Sequence, residues 1–126
     1  DTNSVFHKLK ASYEHDLNNA KNAEQKVNSA NLLAIELDDA DWARRISGVY
    51  GNLLANENPD KAIIVLTKNQ DLSYRVSLRA PLNNKQGAGD ICAEFDTGGG
   101  RAAAAGINVL PADKLQSLIN KVESYY

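Results

Sequence analysis

The chain has 126 residues, enough for one domain with a core of its own. Charged residues make up 24% and the formal net charge is −2, which excludes a protein that coats nucleic acid through bulk positive charge but leaves room for a local basic pocket. The single cysteine, Cys92, excludes an internal disulfide. No apolar run approaches the roughly 20 residues that cross a bilayer, so a cytoplasmic protein with no membrane partner is expected.

In chain order, Phe6, Leu9, Tyr13, Leu17, Ala20, Ala23 and Val27 recur at steps of three and four, which predicts one long helix over residues 5–30. Its apolar stripe is thin. That suits a connector to a neighbouring domain or a homodimer contact, with a peripheral helix of the same domain as the alternative. His7 and His15 would lie about 12 Å apart along such a helix, too far to share a metal. Leu32 to Leu37 is a short apolar run, read as a buried strand. Asp38, Asp39 and Asp41 follow and are read as helix-capping residues rather than metal ligands.

A helix is predicted from Trp42 to about residue 57, with Ile46, Val49, Tyr50, Leu53 and Leu54 on its apolar stripe. Gly48 and Gly51 fall on nearly one face of it. Either another backbone or a ligand comes close there, or the helix starts with Ser47 as its N-cap and Gly48 belongs to the turn; the sequence leaves both open. Lys61 to Thr67 is β-branched and apolar on both faces, hence a central strand. Leu72 to Ala80 alternates, with Tyr74, Val76 and Leu78 on one side and Ser73, Arg75, Ser77 and Arg79 on the other. The two runs form a hairpin, and Arg75, Ser77 and Arg79 make a positively charged stripe on the polar face of its second strand. Residues 83–87 read as a mobile loop, and Gly89-Asp90 opens a short helix that places Cys92 in the core.

Gly98, Gly99 and Gly100 strip a turn of side chains, Arg101 adds a permanent cation, and residues 102–105 are alanines with strong helix propensity. A bare turn, a cation and a helix start make an anion site, or else a tight loop before a closely packed helix. Ile107, Val109 and Leu110 form a last strand, and a helix over 112–124 presents Leu115, Leu118, Ile119 and Val122 to the core. The fold class is therefore α/β, a mixed sheet built from residues near 32–37, 61–67, 72–80 and 107–110 with flanking helices. No residues are patterned for nucleophilic catalysis, for a metal site or as a P-loop, so no catalytic and no metal residues are assigned. Methionine is absent, position 1 included, and the chain is read as one domain of a longer protein.

Ser77-Leu78-Arg79, then a short helix, Phe95, Gly98-Gly99-Gly100 with a cation behind it, and Ala104-Ala105-Gly106 resemble the DHHA1 domain. This is the C-terminal substrate-binding domain of DHH-family phosphoesterases, among them RecJ-like exonucleases and nanoRNase/pAp-phosphatases. Gly48-Val49-Tyr50-Gly51 resembles the helix after the first strand of that domain. The resemblance covers residues 31–126, and the helix over 1–30 is similar to the linker from an N-terminal DHH domain. It implies a domain that grips the phosphate of a nucleotide or short single-stranded nucleic acid through Ser77, Arg79, Gly98, Gly99, Gly100 and Arg101. Manganese and the hydrolytic chemistry would belong to a DHH domain absent from this chain, which by itself would hold no cofactor and be inactive. The family motif ends in histidine where this sequence has Arg101. Arginine retains anion binding but cannot titrate near neutrality. The alternative is a non-catalytic regulatory or interaction module that retains the fold.

Overall fold

The computed structural model describes residues 24–37 and 41–126. Six strands form one mixed sheet in the order β1-β2-β3-β4-β6-β5. They are β1 (Glu24–Asn28), β2 (Leu32–Leu37), β3 (Ala62–Lys68), β4 (Tyr74–Arg79), β5 (Gly98–Gly100) and β6 (Ala104–Leu110). The helices are α1 (Asp41–Glu57), α2 (Ala88–Ala93) and α3 (Leu115–Tyr125), the last entered through a 3₁₀ turn at Ala112–Lys114. Among the described residues only β2 and β3 pair in parallel, and α1 is their crossover.

Alternation along the strands divides the core in two. Leu33, Ile35, Leu37, Ile63 and Val65 meet Ala43, Ile46, Tyr50 and Leu54 of α1. Leu32, Ala34, Ile64, Leu66, Val76 and Leu78 meet Ile91 and Cys92 of α2 and Leu118, Ile119 and Val122 of α3. β3 is sealed on both sides, as its unbroken apolar run requires; each buried Ile or Leu contributes about 1.5–3 kcal/mol. β4 alternates instead, with Tyr74, Val76 and Leu78 buried, Arg75 exposed, and Ser77 and Arg79 half-buried on the α1 side.

Three expectations are corrected. The helix expected over residues 5–30 lies mostly outside the described residues, but its last part is β1, antiparallel to β2 with Val27 packed against the α2–α3 core. The steps that place Val27 on a helical stripe fit a half-buried edge strand as well. Residues 102–105 do not start a helix: a turn over 101–103 leads into β6, and the glycines are the edge strand β5. Pairing with β4 on one side and β5 on the other overrides alanine's helix propensity. The loop over 83–87 is not loose. Asn83 N donates to Pro59 O at 3.1 Å, Gln86 N to Asn84 O at 2.8 Å, and the Tyr126 hydroxyl to Gln86 O at 2.6 Å. Asp38 and Asp39 lie outside the described residues. α1 begins at Asp41, so Ser47 is not its N-cap and Gly48 lies inside the helix.

Cys92 is buried, and burial pushes its thiol up to about 11 from an ordinary 9.0. A folded-state value above the unfolded one favours the protonated thiol. Its contribution is complete below pH 9 and is lost as pH rises through about 11. Cys92 should therefore resist an aromatic disulfide reagent at pH 8 and react fully in urea. Rapid labelling of the folded chain at pH 8 would show that the thiol is not enclosed.

Candidate functional site

Opposed residues of an antiparallel pair project to the same side of a sheet. Val65 opposes Ser77, Ser77 opposes Gly106, and Gly106 opposes Gly99. These four positions make one row across β3, β4, β6 and β5, roughly 14 Å long at ordinary strand spacing. Side chains dwindle along it from valine to serine to glycine. α1 packs on β3 and β4, and beyond it the row forms a side-chain-poor shelf. A cavity of about 240 Å³ opens there, lined by Ser47, Gly48, Thr67, Arg75, Ser77, Gly106 and Asn108 among others.

Arg79 is two residues along β4 from Ser77 and opposes Ala104. Its Nη2 donates to the Gly48 carbonyl at 3.0 Å, and its Nε is buried without a partner among the described residues. A Cβ on Gly51 would lie 3.2 Å from that Nε and 3.5 Å from Val65 Cγ2. Of the two glycines on one helical face only Gly51 has to be bare, since a Cβ on Gly48 would meet nothing within 4 Å. Gly51 leaves room for the arginine side chain to lie against α1, and Gly48 supplies the carbonyl that fixes its guanidinium. A guanidinium has five N–H donors, so most remain for a ligand. Arg79 also lines a second cavity of about 200 Å³ with Asn52, Leu82, Lys85, Ala103 and Ala104 among others.

The glycine run divides by position. A Cβ on Gly98 would stand 1.8 Å from the Cys92 carbonyl oxygen, and one on Gly100 would stand 2.5 Å from Ala105 Cα. The Gly98 amide is already used, donating to Phe95 O at 3.1 Å. These two glycines let α2 and β6 come close. They do not form a phosphate-cradling turn at a helix start. Gly99 differs: a Cβ there would meet nothing within 4 Å, and its pairing with Gly106 places it on the shelf. Arg101 is exposed in the turn that follows, which is tied down on three sides. Arg101 N donates to Ala104 O at 2.8 Å, and Ala102 O and Ala103 O accept from Ala88 N and Ala80 N, each at 3.0 Å.

The structure therefore gathers Ser77, Arg79, Gly99 and the turn bearing Arg101 at one edge of the α1 face, with Gly98 and Gly100 serving the opposite face. Sequence reasoning missed Lys85, Asn52, Thr67, Asn108 and the register of Gly106. Only Gly106 carried a signal, in the alanine-alanine-glycine run. Among the described residues no group of three or more His, Cys, Asp and Glu could hold a metal ion, and no helix is long and apolar enough to cross a membrane.

Residues 25–126 match the DHHA1 domain as a family, from β1 to the last helix. The chain belongs to the DHHA1 domain family.

Solved structures show the same fold. An exopolyphosphatase-related protein from Bacteroides fragilis is 19% identical with a TM-score of 0.65 over 99% of this chain and 39% of its own. A pGpG-specific phosphodiesterase, PggH, from Vibrio cholerae is 13% identical with a TM-score of 0.56 over 96% of this chain and 41% of its own. The DHH domain of a member of a family of ribosomal proteins is 14% identical with a TM-score of 0.62, over 98% and 32%. The DHHA1 chain thus spans about two fifths or less of the length of each. No curated protein sequence matches it. At these identities the likeness is one of fold: a mixed sheet with α1 on one face and α2 and α3 on the other.

Proposed function

We propose that this DHHA1 domain binds the phosphate of a nucleotide or short single-stranded nucleic acid on the shelf beside α1, and presents it to a manganese-dependent DHH domain elsewhere in the protein. The observation that carries the reading is the placement of Arg79. It is braced on the Gly48 carbonyl, keeps most of its donors for a ligand, and stands two residues from a row whose side chains shrink to nothing at Gly106 and Gly99. A guanidinium fork held in place binds phosphate oxygens through charge-assisted hydrogen bonds, and a bare strand surface lets a flat group lie close to the backbone. In this reading Ser77 adds a hydroxyl that can donate or accept, Arg101 adds a second fork from the neighbouring turn, and Gly98 and Gly100 fix the rim on which Gly99 sits.

These residues bind and orient; none is assigned a proton-transfer step. Metal-assisted hydrolysis would be supplied by ligands outside the described residues, and the domain alone is expected to turn over nothing. The relatives' names support a phosphate-bearing ligand, because an exopolyphosphatase-related protein and a pGpG phosphodiesterase share the fold, and the second name supports a phosphoester.

The test is an NMR titration of the chain with adenosine monophosphate and with a short oligonucleotide. Amide shifts should concentrate at Ser77, Gly99, Gly106 and Arg101, with none at α3. Shifts centred on α2 and α3, or no saturable shifts at millimolar ligand, would overturn the proposal. The change from histidine to Arg101 favours one other reading, a regulatory module that kept the fold without substrate work, and absence of binding would support it.

A further inference from the structure

We infer that Arg75 reads the base of the bound nucleotide, so that the shelf prefers guanine to adenine. This deepens the nucleotide-binding reading and rests on it. Arg75 is the one member of the positively charged stripe on β4 that the phosphate reading leaves without a task. Its side chain is exposed and lines the 240 Å³ cavity, and among the described residues no hydrogen bond or ion pair engages its guanidinium.

Pairing puts Arg75 in a second row across the sheet. It opposes Thr67 of β3, and on its other side the β4–β6 register shifts, so that Asn108 and Val109 together face it. Of those two, Asn108 lines the cavity. The bulge is pinned in place. Asn69 Nδ2 donates to Asn108 O at 3.2 Å, Val109 N donates to Thr97 Oγ1 at 2.9 Å, and the Thr97 hydroxyl donates to Val109 O at 3.2 Å. Thr97 has a φ of 63°, a costly conformation for a β-branched residue, and its two bonds to Val109 help to hold it there. Thr67, Arg75 and Asn108 thus stand as a polar edge beside the bare shelf of Ser77, Gly106 and Gly99.

The two rows lie two residues apart along β4, about 7 Å. One hydrogen bond takes about 2.9 Å of that, which leaves about 4 Å for half the width of a flat ring lying on the shelf. A guanidinium fork in the second row then meets the edge of a purine. Guanine offers the fork two acceptors there, O6 and N7, whereas adenine sets an amino donor beside N7 and opposes a group that only donates. No acidic side chain among the described residues lines the cavity to compete for the fork. The Thr67 hydroxyl and the Asn108 amide can each donate or accept. A second phosphate, which only accepts, would leave their acceptor oxygens unused, so the row suits a base better.

The test titrates the chain with guanosine, inosine and adenosine 5′-monophosphates and with 7-deazaguanosine 5′-monophosphate. The parent should bind the guanosine and inosine nucleotides alike, about tenfold more tightly than adenosine monophosphate, and loss of N7 should remove most of that preference. Arg75→Ala should bring the guanosine nucleotide down to the level of adenosine monophosphate and leave the latter's affinity and the urea midpoint unchanged. Equal binding of guanosine and adenosine nucleotides by the parent would overturn the base reading, as would inosine monophosphate binding no better than adenosine monophosphate. An Arg75→Ala variant that keeps the parent's preference, or that weakens both nucleotides equally as a cation for phosphate would, overturns the role of Arg75. In each of those cases the shelf reading stands. Failure of the parent to bind any of the four would overturn both.

Discussion

Gly98→Ala should lower the unfolding free energy by about 3 kcal/mol or more, the upper end of what overpacking costs. The added methyl would stand 1.8 Å from the Cys92 carbonyl oxygen and 2.7 Å from its carbon, and both are backbone atoms that no rotamer change can move aside. α2 would have to lift off β5, exposing Ile91 and Cys92, which α2 buries against the sheet. Gly99→Ala should cost less, because its methyl meets nothing within 4 Å and the cost is confined to the backbone strain of a φ of 159°. Urea titrations of the two variants give the comparison directly through their midpoints. Equal midpoints would mean that α2 does not rest on Gly98 as described.

Arg79→Ala should weaken mononucleotide binding by roughly a hundredfold, the loss of two charge-assisted hydrogen bonds at about 1.5 kcal/mol each. Stability should stay within about 1 kcal/mol of the parent, since the group lost is one hydrogen bond to an accessible carbonyl. Gly51→Leu gives an independent route to the same result. It retains the cation but fills the space where Arg79 Nε lies 3.2 Å from a Cβ position, so the guanidinium is driven from its bracket on Gly48. Arg101→Ala should weaken binding about tenfold, and combined with Arg79→Ala should fall short of the product of the two losses if one phosphate is shared. Calorimetric titration measures all four. If Arg79→Ala binds as the parent does, the anion site is elsewhere.

The parts of the fold legible in the sequence are those where a local pattern and the tertiary environment agree. β3 reads as central because it is apolar along nearly its whole length, β4 reads as one-sided because it alternates, and α3 reads as a helix from the spacing of Leu118, Ile119 and Val122. The alanines before Gly106 mislead because their propensity is helical. Their pairing partners, Leu78 and Arg79 in β4 and Gly100 in β5, decide otherwise, and the β4 partners are far away in sequence. The site is half legible for the same reason. Alternation places Arg79 and Ser77 on a polar face, and the glycine motif marks the neighbouring edge. Which glycine faces the ligand depends on register with β6, and whether Lys85 reaches the site depends on a loop held by the last two tyrosines. Neither leaves a periodic trace. Gly51 announces a close neighbour, but not that the neighbour is an arginine.

β5 has three residues, lies at the edge of the sheet, and has no side chain on any of them. Such a strand depends on backbone hydrogen bonds to β6 and on the lean of α2, and it sits at the low end of the range of local stabilities within a domain. Amide exchange should accordingly be fastest there and slowest in β3, on the far side of β6 and β4. A ligand lying across Ser77, Gly106 and Gly99 would tie this weakest strand to the better-anchored β4, so that occupancy of the shelf and closure of the sheet's outer edge become a single equilibrium.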